Sequence, residues 1–182
     1  MNIAVYCGSN LGNEAKYAKI AQDLGTWIGS RHHTLVYGGG KRGLMGVVAD
    51  AVLSQGGKVI GVLPQVKEIQ ERKHRYLTQY IETENLARRK EKMIELSDAF
   101  IALPGGPGTL DEISDVISLS RLNEIQGACV LYDLDGFYQP LKEFYEQMAD
   151  CGFVEPETLQ KVLYSEDLEE IIQFIQKEKE NV

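Results

Sequence analysis

A chain of 182 residues with 43% hydrophobic and 25% charged content can bury one core, and its balance is that of an ordinary globular domain. The net charge of -8 excludes a general nucleic-acid binder, which needs a broad basic face, although a local basic cluster can still hold a small anion. The apolar runs are too short for a bilayer, the first residues carry no basic signal segment, and Cys7, Cys129 and Cys151 lack C-x-x-C spacing, so a cytoplasmic protein away from membranes is expected.

Short β-branched runs alternate with helical stripes along the chain. Strands are expected at 3–6, 34–37, 58–63, 99–103 and 128–132, with a weaker one near 80–83. They are nearly continuous apolar runs without alternation, as parallel strands covered on both faces require. Between the first two strands Ile20, Leu24, Trp27 and Ile28 form a helical stripe, and Leu44, Val47, Val48, Ala51 and Val52 form another after the second. The segment 64–79 is the least regular and reads as a long loop or a lid, and a helix at about 85–97 follows. Leu168, Ile171, Ile172 and Ile175 mark a polar C-terminal helix. Cys7 and Cys129 lie inside apolar runs and read as buried small hydrophobes. Repeated β-then-α units imply right-handed crossovers and an α/β fold: a single Rossmann-like domain over 1–182, with a doubly wound, mainly parallel sheet flanked by helices.

Ligands of such sheets bind beyond the carboxyl ends of the strands, and three glycine loops fall there. The first is Cys7-Gly8-Ser9-Asn10; the second runs from Gly38-Gly39-Gly40 to Gly43-Leu44-Met45-Gly46; the third is Gly105-Gly106-Pro107-Gly108-Thr109. Glycine lets backbone N–H groups approach phosphate oxygens, and a following helix adds the positive end of its dipole. No loop completes a Walker pattern, and any one alone is also a tight strand-to-helix connection. Three in series point to an anion site. Its candidate contacts are Gly8 and Ser9, then Gly39, Gly40 and Met45, then Gly105 to Thr109 with Leu110, Asp111 and Glu112.

Glu112 has two readings on spacing. Thr109-x-x-Glu112 fits a capping box, with the threonine capping the helix, and the same carboxylate fits catalysis. Asp111 points about a third of a turn away, whereas Asp115 shares the face of Glu112, so any carboxylate pair would be Glu112 with Asp115; a solvated Asp115 is the plainer reading. Upstream, eight of the 19 Lys and Arg residues lie between 67 and 92. Most such runs are solvated helix faces. Arg89 and Lys90 differ because they begin the helix that leads into the strand before the third loop, where a guanidinium can bind phosphate or hydroxyl groups. His32, His33 and His74 have no metal-ligand spacing, and no Gly-x-Ser-x-Gly or Cys/His pair is present. No metal and no cofactor are expected.

Gly38-Gly39-Gly40-x-x-Gly43-Leu44-Met45-Gly46, Arg89-Lys90-x-x-Met93 and Pro104-Gly105-Gly106-x-Gly108-Thr109-x-x-Glu112, in that order, resemble the Lonely Guy (LOG) family over residues 1–149. The resemblance implies a cytokinin riboside 5′-monophosphate phosphoribohydrolase, a class often mislabelled as lysine decarboxylases; nothing here resembles a pyridoxal phosphate site. It implies that Arg89 and Glu112 are the catalytic pair and that Gly106 to Glu112 hold the ribose phosphate. It further implies substrate contacts at Lys90, at Glu71 by colinear spacing, and at Ser118, where the family has threonine. Leu86 and Ala87 stand where plant members often have Met and His. A homodimer is also implied, with helices around 89–97 and 109–123 as candidate interface elements. Two other readings stand beside this one: a broader purine or pyrimidine 5′-nucleotide nucleosidase, and a module that senses nucleotides without turnover. The presence of both Arg89 and Glu112 counts against the last.

Overall fold

The computed structural model describes residues 1–180. Within them, seven strands form one sheet: β1 (Asn2–Tyr6), β2 (Thr34–Tyr37), β3 (Lys58–Pro64), β4 (Gln79–Thr83), β5 (Ala99–Ala102), β6 (Ala128–Tyr132) and β7 (Val162–Ser165). Their spatial order is β4-β3-β2-β1-β5-β6-β7, and every pairing is parallel. The chain builds outward from β1 to β4, then returns to β1 and builds the other way from β5. That reversal puts the crevice of a Rossmann-like sheet between the carboxyl ends of β1 and β5. Tyr6, the last residue of β1, is level with Ala102, the last residue of β5.

Among the described residues, eight α-helices cover the two faces: α1 (Ala15–Ser30), α2 (Gly43–Ser54), α3 (Lys67–Gln70), α4 (Leu86–Glu95), α5 (Pro107–Arg121), α6 (Gln139–Asp150), α7 (Pro156–Leu159) and α8 (Leu168–Glu180). Successive strand residues serve opposite faces. Ile3 and Val5 pack with Leu24 and Ile28 of α1, Val48 and Val52 of α2, and Ile171 and Ile175 of α8. Ala4 and Tyr6 pack with Met93 of α4 and with Ile113 and Val116 of α5. Burial on both faces explains why these strands read as unbroken apolar runs. Among the described residues no helix is long and apolar enough to cross a membrane.

The expected strands are present, within a residue at their ends. The structure adds β7 and α6, which the sequence reading did not anticipate, and makes the sheet wholly parallel. The segment 64–79 is less loose than a free loop. After the single turn of α3, His74 is buried, and its Nε2 lies 2.8 Å from Asp50 Oδ1 on α2. The His74 N–H donates to Gly39 O at 2.9 Å, and the Lys41 N–H donates to Arg72 O at 3.0 Å. The segment is therefore a strap, tied to the second glycine loop.

Candidate active site

The three glycine loops are sewn to one another at the β1–β5 crevice. The N–H of Gly8 donates to Pro104 O at 3.2 Å, joining the first loop to the third, and the N–H of Leu44 donates to Gly8 O at 3.1 Å, joining the second to the first. Two glycines allow the approach. A Cβ on Gly43, whose φ is +63°, would overlap the backbone of Ser9 and Asn10. A Cβ on Gly105 would lie 2.7 Å from Thr109 Cβ and 3.0 Å from Gly8 N. Between the loops opens a cavity of about 490 Å³, of the size that holds a small-molecule ligand.

The third loop turns directly into α5. Gly106 is the cap residue and Pro107 opens the helix, where its missing N–H costs nothing. Space for a Cβ on Gly106 and on Gly108 is unobstructed, so a ligand can reach this backbone. Thr109 is thus the third residue of the helix, not its cap, and no side chain caps the N-terminus. The capping-box reading of Thr109 and Glu112 is corrected by this earlier start. Glu112, one turn further on, is free for another task.

That task is an ion pair. Asn85 caps α4 by accepting the Arg88 N–H at 2.9 Å, which sets the helix so that Arg89 points into the crevice. Arg89 Nη2 pairs with Glu112 Oε1, with 15% and 10% of the two side chains exposed. Burial pushes the Arg89 guanidinium below its usual pKa, while nearby Tyr6 and Asp111 act in the opposite direction. Gly38, at the start of the second loop, leaves the room that the guanidinium occupies: a Cβ there would be 3.3 Å from Arg89 Nη1.

Gly8, Ser9, Met45, Arg89, Gly105, Gly106, Pro107, Gly108, Thr109 and Glu112 all line this cavity. Gly39, Gly40, Glu71, Lys90, Leu110, Asp111 and Ser118 lie outside its lining. Gly39 turns with φ +73° against Leu63, and Gly40 packs on Met45 and bridges to Lys73, so both serve the strap. Glu71 and Ser118 are exposed. Lys90 bonds Asp111 at 2.9 Å and Asp115 at 2.7 Å on the outer side of α5. Asp115 shares Lys90 with Asp111, one turn away, and its side chain is 45% exposed, in keeping with the plainer reading of a solvated carboxylate.

Several lining residues carried no signal in the sequence. Tyr6 is the end of an apolar strand, and Tyr17 and Phe137 come from α1 and from the turn before α6. Tyr17 and Phe137 stack edge to face at 6.3 Å and add apolar surface to the cavity lining. Cys7 also lines it, but burial pushes its thiol up to about 12, which removes it as a nucleophile at neutral pH. A second cavity of about 470 Å³ between α6, α7 and β7 is nearly as large, yet its lining has no glycine loop and no buried ion pair. Chemistry, not size, selects the first.

Over 175 residues the chain is 39% identical to the cytokinin riboside 5′-monophosphate phosphoribohydrolase of Rhodococcoides fascians, covering 96% of this chain and 88% of that protein. The chain belongs to the LOG family. The family's sequence model, described as "Possible lysine decarboxylase", matches residues 45–175. LOG1 of Arabidopsis thaliana, a cytokinin riboside 5′-monophosphate phosphoribohydrolase, is 36% identical over 174 residues, covering 96% of this chain and 82% of that one. Among solved structures, the Moco carrier protein of Chlamydomonas reinhardtii superposes with a TM-score of 0.75 at 20% identity, covering 100% of this chain and 98% of that one. At that identity the likeness concerns the fold alone.

Proposed function

We propose that the β1–β5 pocket binds an adenosine 5′-monophosphate, with or without an N6-substituent, and hydrolyses the bond between base and ribose. Water enters; free base and ribose 5-phosphate leave. The observation that carries this reading is the Arg89–Glu112 pair, buried at a pocket walled by three glycine loops, in a chain whose relatives are named for this reaction. The open backbone at Gly106 and Gly108 and the start of α5 grip the phosphate. Glu112 offsets the positive charge that develops on the ribose and takes the proton of the attacking water, a contribution of ~10²–10⁴-fold for general base catalysis. Arg89 orients the sugar and favours departure of the base, acting by position and charge. The apolar wall of Leu11, Tyr17 and Phe137 faces the base. No metal or cofactor enters this scheme, and homodimerisation through α4 and α5 is supported by Leu86 and Leu110, which are exposed on those helices.

Chromatography of reactions with AMP, isopentenyl-AMP and adenosine tests the reading. Equal amounts of free base and ribose 5-phosphate are expected from the two nucleotides, with adenosine a poor substrate. Equal rates on adenosine and AMP would contradict the phosphate cradle. Bound nucleotide with no base released over hours would instead favour a sensor.

A further inference from the structure

Tyr6 ends β1 at the pocket and lines it, yet only 1% of the residue is exposed. Its hydroxyl is buried without a hydrogen-bond partner among the described residues, and so is the Nε of Arg89. Tyr6 packs in the layer that holds Met93 of α4, the helix that carries Arg89, and Ile113 of α5, next to Glu112. Tyr6 and Arg89 line the same cavity, and each acts electrostatically on the other. A buried hydroxyl with no partner costs stability that phenylalanine would not, so the oxygen calls for a role outside folding. Its chemistry matches its neighbour: a hydroxyl accepts, and an Arg Nε–H can only donate.

Arg89 is drawn through Nη2 to Glu112. A ligand that engages Glu112 must share or part that pair, and the freed guanidinium then needs a second anchor. We propose that Tyr6 is a positioning residue for Arg89: when a nucleotide parts the guanidinium from Glu112, Arg89 Nε–H donates to Tyr6 Oη and holds the Nη groups toward the ligand. This rests on the reading of the pocket as a nucleotide site, but not on turnover there.

Calorimetric titration with AMP, together with thermal melting, tests it on the full chain and its Tyr6→Phe, Arg89→Lys and doubly substituted forms. Lysine keeps the cation but carries no donor at the Nε position. Tyr6→Phe is expected to weaken AMP binding about tenfold, the worth of a charge-assisted hydrogen bond, with a melting midpoint equal to or above wild type. In the Arg89→Lys background the same change should have no effect on affinity. Unchanged affinity in Tyr6→Phe overturns the proposal. So does a loss that persists at full size in the Arg89→Lys background, or one that tracks a fall in the melting midpoint, because either marks a packing role. Wild-type protein that binds no AMP overturns the nucleotide reading itself, a result separate from any failure of Tyr6→Phe.

Discussion

Helices α4 and α5 are bridged twice, by adjacent residues of α4, and the two bridges lie in different media. On the pocket side, Arg89 and Glu112 meet with 15% and 10% of their side chains exposed. On the outer side, Lys90, itself 19% exposed, meets Asp111 and Asp115, whose side chains are 62% and 45% exposed, so the difference lies at the carboxylates. The electrostatic response differs accordingly. Desolvation pulls the Arg89 pKa down, whereas the hydrogen bonds that Lys90 donates to Asp115 and Asp111 raise its own. An outer pair in water is cheap to form and contributes little. An inner pair must overcome the loss of hydration of two ions, and a well-packed apolar pair would serve folding as well or better. The outer bridge belongs to the surface, and the inner one is the pair proposed above to act in the reaction.

Breaking the inner bridge on one side should have the largest effect. Arg89→Met leaves Glu112 as an uncompensated buried charge and is expected to cost ~3–5 kcal/mol in chemical unfolding and to end base release. The double change Arg89→Met with Glu112→Leu sharpens the contrast: stability is expected to return to wild type or above, with activity still absent. Next comes the loop that feeds α5. Gly105→Ala forces a Cβ against Thr109 and the Gly8 backbone, so a loss of ~1–3 kcal/mol is expected, together with weaker nucleotide binding in a titration. The outer bridge should respond least. Asp115→Asn is expected to change unfolding free energy by less than ~1 kcal/mol and to leave base release within about twofold, and a larger loss of activity would erase the distinction between the two bridges.

The legibility of this molecule in its sequence follows what each part is buried against. The central strands declared themselves as unbroken apolar runs, buried on both faces, and α1, α2 and α8 did so because burial of one face writes a helical period into the chain. β7 did not: Val162, Leu163 and Tyr164 are only half-buried at the sheet's edge, in a run of four residues. α6 has no buried residue, and its partly buried Leu141 and Tyr145 leave too faint a stripe to stand out. The strap at 64–79 looked structureless because its anchors are backbone hydrogen bonds and the single histidine His74, which no periodicity reports. At the site, the glycine loops were visible as composition, and Arg89 with Glu112 through family resemblance. Spacing alone left Glu112 between cap and pocket, and the position of Pro107 as the first helical residue removed the capping reading. The shared helix face allowed Asp115 as a companion of Glu112, but the plainer reading of a solvated Asp115 is the one the fold agrees with, and spacing could not say that Lys90 stands beside it. Phe137 joins Tyr6 and Tyr17 from more than a hundred residues further along the chain, a fact that only the folded chain contains.

The central claim is that the inner bridge is kept for chemistry, and Glu112→Gln addresses it most directly. Glutamine preserves the volume and an oxygen for Arg89 while removing the charge. Release of base from AMP, followed by chromatography on protein whose folding is checked by thermal melting, is expected to fall by ~10²–10⁴-fold while a cooperative melting transition is retained. A variant that keeps turning over AMP but melts markedly earlier would show that Glu112 serves the fold, and would contradict the account.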